Sequence, residues 1–206
     1  DAERTMNTHL GMCREFNLKD IDEKLLMSSS FLYFTGYMWD TDSQKEAIQK
    51  AVDIAQSNNL KICFDVADPF VVERNREEFL EFIKNSVDIV FANEPELLIL
   101  FQSKDIDQSI DSLMNIVKCG GVKLGKKGST VFNSFEKNKI EPNLISAKDT
   151  TGAGDMYAAG FLSQFFKTND YISSGKKGSA LAEEIVQING AQFDKKKMSQ
   201  IRSKIF

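Results

Sequence analysis

Short apolar segments alternate with amphipathic segments of helical spacing along most of this chain. Residues 42–58 place Ala, Ile and Val at helical intervals, with Asp42 or Ser43 as the expected N-cap, and residues 61–66 are predicted to form a buried strand. A helix over residues 73–84 and a strand over residues 88–92 repeat the order. Such alternation predicts βα units in a mostly parallel, doubly wound sheet with helices on both faces. We therefore expect an α/β fold of three layers.

The second half of the chain continues the pattern. Helices are predicted over residues 108–118, 154–166 and 179–188, and extended segments over residues 122–124 and 131–133. No internal repeat, low-complexity tract or Pro/Gly/Ser-rich linker interrupts the 206 residues. We therefore predict one domain over residues 1–206.

Composition argues against several classes of protein. No apolar run approaches the roughly 20 residues that a membrane span requires, and the net charge of -4 argues against a nucleic-acid partner. The three cysteines lack Cys-x-x-Cys spacing, which predicts a reducing cytoplasm. The chain has one histidine, His9, so a Ser-His-Asp hydrolase would depend on that residue and is disfavoured. A Rossmann oxidoreductase is a weak alternative, because no Gly-x-Gly-x-x-Gly stands at a strand-to-helix turn.

Residues 149–155, Asp-Thr-Thr-Gly-Ala-Gly-Asp, lead directly into a predicted helix. The small residues let the main chain approach a ligand, and the N-terminus of a helix directs N–H groups and partial positive charge toward it. Asp155 lies in the same turn, where its carboxylate could accept a proton from a hydroxyl group. The alternative is a helix start without a ligand, because an acidic residue in the first turn is stabilising by itself.

Asn93-Glu94-Pro95-Glu96 follows the strand predicted over residues 88–92. An amide and a carboxylate three residues apart could face one cavity and hold the water shell of Mg²⁺. The alternative is a capping box, in which Asn93 caps a helix and Glu96 completes the box. The tetrapeptide alone favours the capping box.

Residues 122–129, Val-Lys-Leu-Gly-Lys-Lys-Gly-Ser, contain a Gly-x-x-Gly turn but no Walker A loop, which requires Gly-x-x-x-x-Gly-Lys-Ser/Thr. A hairpin turn between two strands is the simplest interpretation of this spacing.

Taken together, these three segments resemble the PfkB, or ribokinase-like, kinase family, and the resemblance extends over nearly all of the chain. The family pattern Asp-Thr-x-Gly-Ala-Gly-Asp is met at every fixed position of residues 149–155. The resemblance implies a ribokinase-like fold and ATP-dependent transfer of a phosphoryl group to a hydroxyl of a small sugar or nucleoside. It assigns Asp155 as catalytic base, and it assigns the anion hole to Gly152, Ala153 and Gly154.

The same resemblance implies the cofactors ATP and Mg²⁺, and in some members a monovalent cation such as K⁺. Asn93 and Glu96 match the family's Asn-x-x-Glu motif, which implies that they hold Mg²⁺ through water. Three positions would lie near the ATP phosphates: Lys123, Gly125 and Gly128. Family members often carry Thr in place of Lys123. The positions that would help to hold the monovalent cation are Asp149 and Thr151.

The first third of the family fold, with its N-terminal strands and lid, has no counterpart in this sequence, so we expect a C-terminal portion of such a kinase. The run Phe70-Val-Val-Glu-Arg favours adenosine-kinase-like members, with a helix start as the alternative. An exposed sheet edge would favour pairing with a second copy, so a homodimer is a further expectation. A nucleotide-binding fragment without catalysis remains the alternative to an active kinase.

Overall fold

The computed structural model describes residues 9–143 and 145–205, which divide into two compact units. The N-terminal unit comprises the described residues up to 122, and the C-terminal unit comprises those from 123 onward. One domain over residues 1–206 stays a prediction.

The N-terminal unit alternates strands and helices. Its strands are β1 (Phe31–Thr35), β2 (Lys61–Asp65), β3 (Ile89–Asn93) and β4 (Cys119–Lys123), whose last residue begins the C-terminal unit. Its helices are α1 (Glu23–Met27), α2 (Asp42–Ser57), α3 (Pro69–Ser86), α4 (Glu94–Leu100) and α5 (Ile106–Met114). Short 3-10 helices span Gly11–Glu15, Leu18–Asp20 and Gly36–Trp39.

The strands of this unit lie in the order β1-β2-β3-β4. β1 runs parallel to β2, with Phe31 opposite Lys61, and β2 runs parallel to β3, with Cys63 opposite Ile89. The loops that follow these parallel strands leave the sheet at the same edge, where α/β proteins bind their ligands. The predicted α/β class is confirmed.

Two helices of the N-terminal unit, α2 and α3, begin where a side chain accepts a hydrogen bond from one of the first free N–H groups. The hydroxyl of Thr41 accepts from Gln44 N at 3.3 Å, so Thr41 caps α2, and the predicted caps Asp42 and Ser43 were wrong. Asp68 caps α3, accepting from Phe70 N at 2.8 Å. This helix therefore starts before the predicted residue 73 and places Phe70 in its first turn, as the helix-start alternative anticipated.

Aromatic side chains form the core of the N-terminal unit. Phe64 and Phe79 are fully buried and meet edge to face with their ring centroids 5.2 Å apart. Trp39 packs against both rings, at 5.7 Å and 5.4 Å. This arrangement combines burial of large apolar surfaces with favourable ring geometry.

The C-terminal unit contains two strands, β5 (Ser129–Asn133) and β6 (Lys137–Ile140), which pair in antiparallel fashion. Its helices are α6 (Ala153–Thr168), α7 (Tyr171–Ile185) and α8 (Lys195–Ile205), and a 3-10 turn spans Gly125–Lys127. α7 begins before the predicted residue 179 because Asp170 caps it, accepting from Ile172 N at 2.9 Å. No helix among residues 9–143 and 145–205 combines the length and the hydropathy that a bilayer crossing demands.

Glycines bring α6 and α7 into close contact. A β-carbon on Gly160 would lie 2.7 Å from the carbonyl oxygen of Lys177, and one on Gly178 would lie 2.8 Å from that of Tyr157. The Tyr157 hydroxyl also donates to Ser129 Oγ at 2.9 Å, which joins α6 to β5. These contacts fix the position of α6, and with it the position of the loop that precedes the helix.

Candidate active site

The N-terminus of α6 exposes main-chain donors. Gly152 occupies the N-cap with a φ of +79°, and no side chain in the described part of the chain caps the helix. Met156 N donates to Gly152 O at 2.9 Å, whereas no acceptor among the described residues bonds the N–H groups of Gly154 and Asp155. Two N–H groups at the positive end of a 16-residue helix therefore face outward, as in an anion-binding site.

Gly152 is required by contact as well as by conformation. A β-carbon at this position would lie 2.8 Å from the β-carbon of Ala191, closer than real side chains approach. Its φ also lies in the left-handed region, which residues with a side chain rarely occupy. The turn before α6 is thus built around a residue without a side chain.

Asp149 holds the turn to the segment that follows α7. Its Oδ1 accepts from Thr151 N at 2.9 Å and from Thr151 Oγ1 at 2.5 Å, and its Oδ2 accepts from Gly190 N at 2.8 Å. Lys148 N also donates to Val186 O at 2.7 Å. The two residues predicted to hold a monovalent cation therefore lie together and bind each other.

Asp155 is an exposed carboxylate in the first turn of α6. It shares this turn with Gly154, and the two outward N–H groups belong to these residues. The N–H of Ala153 instead donates to Thr150 O at 3.2 Å. Gly152, Gly154 and Asp155 are thus grouped at one helix end, and the part of Ala153 in an anion hole stays a prediction.

Lys123, the last residue of β4, reaches the same helix end. Its Nζ atom lies 3.2 Å from the position that a β-carbon on Gly154 would take, and its Cδ atom lies 3.9 Å from it. An ammonium group therefore stands beside the first turn of α6.

The backbone geometry of the turn that follows β4 accounts for the two glycines in that turn. Gly128 N donates to Gly125 O at 3.0 Å, and Leu124 N donates to Gly128 O at 2.8 Å. Gly128 has a φ of +88°, and a β-carbon there would overlap the carbonyl oxygen of Ile140. Gly125 has a φ of +58°, and beyond its two chain neighbours no atom of residues 9–143 or 145–205 lies within 4 Å of the position that a β-carbon would take. A nucleotide near these glycines stays a prediction.

Asn93 and Glu96 form the capping box that the alternative interpretation anticipated. Asn93 N and Nδ2 donate to the two carboxylate oxygens of Glu96 at 2.7 Å and 2.6 Å, and Glu96 N donates to Asn93 Oδ1 at 2.9 Å. Glu96 is 1% exposed, and the pair lies where β3 passes into α4 in the N-terminal unit. A magnesium role for the pair stays a prediction.

Sequence reasoning gave no chemical role to Gly190 and Ala191. The structure places Gly190 N against Asp149 and Ala191 against Gly152. No local pattern could reveal these contacts, because about forty residues separate the partners along the chain and the contacts depend on how α6 and α7 pack.

Comparison with known proteins identifies relatives that match nearly the whole chain. The model of the "pfkB family carbohydrate kinase" matches residues 1–198. A 5-dehydro-2-deoxygluconokinase from Clostridium botulinum is 25% identical over 197 residues, which cover 91% of this chain and 58% of that protein. The chain thus spans less than two thirds of the length of this relative.

Solved structures agree with these relatives. An adenosine kinase from Sinorhizobium meliloti is 34% identical with a TM-score of 0.94, over 99% of this chain and 63% of that chain. A candidate ribokinase II from E. coli in complex with ATP and Mg²⁺ is 22% identical with a TM-score of 0.79, over 87% of this chain and 59% of that chain, and supports the fold alone. The ribokinase-like fold is confirmed.

Proposed function

The chain belongs to the pfkB family of carbohydrate kinases, and we propose that it transfers the terminal phosphoryl group of ATP to a hydroxyl group of a small sugar or nucleoside. One observation carries this proposal: the first turn of α6 presents two outward N–H groups beside the carboxylate of Asp155. Such a turn supplies an anion site and a proton acceptor within a few residues.

Asp155 acts as the base in the proposed reaction. Its carboxylate accepts the proton of the acceptor hydroxyl as the oxygen attacks the terminal phosphorus of ATP. A bond forms between that oxygen and phosphorus, the bond from phosphorus to the bridging oxygen of ADP breaks, and ADP leaves with the electron pair. The N–H groups of Gly154 and Asp155 stabilise the charge on the transferring group, which is the largest contribution that a protein makes to this chemistry.

Mg²⁺ neutralises the charge of the ATP phosphates when it is bound. Asn93 and Glu96 are the residues proposed to hold it. Their donor set fits this ion, because Mg²⁺ retains several waters and needs few protein oxygens. Both Glu96 oxygens already accept hydrogen bonds from Asn93, and this arrangement favours contact through water over direct coordination. Among the described residues, no group of three His, Cys, Asp or Glu side chains is arranged to hold a metal.

Asp149 and Thr151 are proposed to lie beside a monovalent cation such as K⁺. Oxygen donors suit such an ion, and the two side chains are held together at 2.5 Å. Their hydrogen bonds to each other and to Gly190 also give them a structural role that needs no cation. A requirement for K⁺ would appear as a rise in activity when K⁺ replaces a larger organic cation in the buffer.

A nucleoside is the acceptor that we favour first. The similar structure from Sinorhizobium meliloti is an adenosine kinase, and the relative from Clostridium botulinum is a 5-dehydro-2-deoxygluconokinase. The direct test is ADP release with MgATP and a panel of acceptors that starts with adenosine and continues through sugars. ADP release that depends on an acceptor and disappears in Asp155→Asn would support the proposal. Release that persists unchanged in Asp155→Asn would contradict it.

Nucleotide binding without transfer is the second candidate. The observation that favours it is that the N–H groups of Gly154 and Asp155 suit anion binding by themselves, whereas transfer also requires Asp155 to act as a base. Calorimetry with MgATP, run beside the acceptor panel, separates the two functions. Binding with no ADP release from any acceptor would support this second candidate over the first.

A further inference from the structure

Glu184 joins the last two helices of the C-terminal unit. Its two carboxylate oxygens accept hydrogen bonds from the ammonium groups of Lys197 and Lys204, each at 2.5 Å. Only 10% of the Glu184 side chain is exposed, and a carboxylate with so little access to water is stable only when it is paired. Ile201, which is 1% exposed, lies between the two lysines on the same face of α8. We call the contact of Glu184 with the two lysines the α7–α8 clamp.

The α7–α8 clamp closes the connection between these two helices into a loop. Residues 186–194 form this connection, and Glu184 lies just before it, in the last turn of α7. At the other end, Asp194 Oδ1 accepts from Lys197 N at 2.7 Å, where α8 begins. Because Lys197 also binds Glu184, the two ends of the connection are tied together, which restricts the conformations open to it.

This connection supports the loop that enters α6. Val186 O accepts hydrogen bonds from Lys148 N at 2.7 Å and from Asp149 N at 3.3 Å. Gly190 N donates to the carboxylate of Asp149 at 2.8 Å. Three hydrogen bonds therefore attach the connection to a loop that leads, a few residues later, to Asp155.

We propose that Glu184 is a positioning residue for phosphoryl transfer. By holding α8 to α7, its carboxylate fixes the connection that supports the loop before α6, and so it keeps Asp155 where the proton of the acceptor hydroxyl is taken up. This inference rests on the proposed function and adds a residue that acts only through others. Loss of the clamp should let the loop shift, and a small shift of a reacting group lowers the rate strongly.

Kinetics of the full chain test this role. Glu184→Gln keeps the size of the side chain but removes the charge that both lysines bind, so kcat for ADP release should fall about tenfold, within the loss that a 1 Å misplacement can cause. Glu184→Asp keeps the charge and should recover part of the rate. Lys204→Met leaves one of the two ion pairs in place and should show a smaller fall.

Asp170→Ala is the matched control for a loss of stability alone. Asp170 caps the opposite end of α7, accepting from Ile172 N at 2.9 Å, so its removal weakens the same helix without touching the clamp. At a temperature where circular dichroism shows both variants to be folded, kcat of Asp170→Ala should equal that of the parent.

Hydrogen exchange measures the coupling without turnover. The amides of Lys148 and Gly190 bond across the contact between the connection and the loop before α6. They should lose protection in Glu184→Gln and keep it in Asp170→Ala, because only the first change frees the connection.

The outcomes distinguish this inference from the proposed function. A parent that releases no ADP with any acceptor would overturn the proposed function, and the positioning role with it. In an active parent, an unchanged kcat in Glu184→Gln, or an equal fall in Asp170→Ala, would overturn the role of Glu184 alone. A fall in kcat with unchanged exchange at Lys148 and Gly190 would overturn it as well, because the effect would not pass through the loop. If Glu184→Gln does not fold, the same criteria apply to Lys204→Met.

Discussion

The carboxylate of Asp149 accepts a hydrogen bond from the main-chain nitrogen of Gly190 at 2.8 Å and so joins the loop before α6 to the segment after α7. The same carboxylate accepts two hydrogen bonds from Thr151. The Asp149 side chain therefore restrains both the segment that leads into α6 and the segment that leaves α7, beside the candidate active site.

Replacement of Asp149 by alanine should destabilise the fold. Three donors lose their acceptor, and the expected fall in the free energy of unfolding is about 1–3 kcal/mol. Urea denaturation followed by circular dichroism measures it. Glu141→Ala serves as the control, because its exposed pair with Lys139 contributes little. Equal stability of Asp149→Ala and the parent would show that Asp149 does not restrain the loop before α6 and the segment after α7.

Asp155→Asn should preserve nucleotide binding and abolish phosphoryl transfer. The amide cannot accept the proton of the acceptor hydroxyl, and the loss of a general base lowers kcat by about 10²–10⁴-fold. Binding is measured by calorimetry and transfer by ADP release. Asp42→Asn is the control, because Asp42 also lies in the first turn of a helix and is exposed. The assignment fails if both variants turn over at the parent rate.

Gly152→Ala should be more harmful than Gly190→Ala, although both glycines have φ near +80°. The conformational cost of alanine in this region, about 1–2 kcal/mol, applies to both positions. Only at Gly152 would the new β-carbon also meet another residue, Ala191, at 2.8 Å. Thermal unfolding of the two variants isolates the contact. Equal melting temperatures would show that the turn has room for a side chain.

Glu96→Gln should separate the capping role of Glu96 from its proposed magnesium role. Glutamine keeps one acceptor for the capping box but sets its NH2 group against a donor of Asn93, so the free energy of unfolding should fall by about 1–3 kcal/mol. The neutral side chain should nevertheless raise the Mg²⁺ concentration that half-maximal activity requires. Glu94→Gln changes a neighbouring charge in the same turn and is the control. An unchanged Mg²⁺ dependence would limit Glu96 to capping.

Acid should loosen the attachment of α8 to α7. Hydrogen bonds from Lys197 and Lys204, both at 2.5 Å, hold the pKa of Glu184 below its ordinary value. A carboxylate with a lowered pKa stabilises the fold above its unfolded-state pKa, about 4.3, and this contribution is lost as pH falls through the folded pKa. The stability of the parent should therefore fall more steeply than that of Glu184→Gln as the pH falls below about 5. Parallel curves in denaturant titrations would contradict this attachment.

The sequence predicted the elements whose hydrophobic period is strong. The strands from residues 61 and 88 and the helix after Gly152 were found close to their predicted bounds, because buried apolar runs and the Gly-rich turn are local signals. β6 and α8 were not predicted. Their Lys-rich sequences lack a clear apolar period, and their positions depend on contacts with β5 and α7.

The sequence predicted which residues belong to the candidate site, but it did not predict the contacts between those that are distant in the chain. Residues 149–155 identified the helix end and Asp155 because the residues that form this turn are consecutive in the chain. The approach of Lys123 to Gly154 and that of Gly190 to Asp149 join residues distant in the chain, so only the packed structure reveals them. A homodimer and a cytoplasmic location stay predictions.

The chain's only tryptophan, Trp39, lies within the aromatic core of the N-terminal unit, against Phe64 and Phe79. Its fluorescence is therefore a built-in optical reporter for the unit that contains Asn93 and Glu96. The unit that contains Asp155 has Tyr157 and Tyr171 but no tryptophan among its residues. Fluorescence excited selectively at tryptophan thus follows the unfolding of the N-terminal unit, while helical ellipticity follows the unfolding of both units. A difference between the two melting curves would show that the two units unfold at different temperatures.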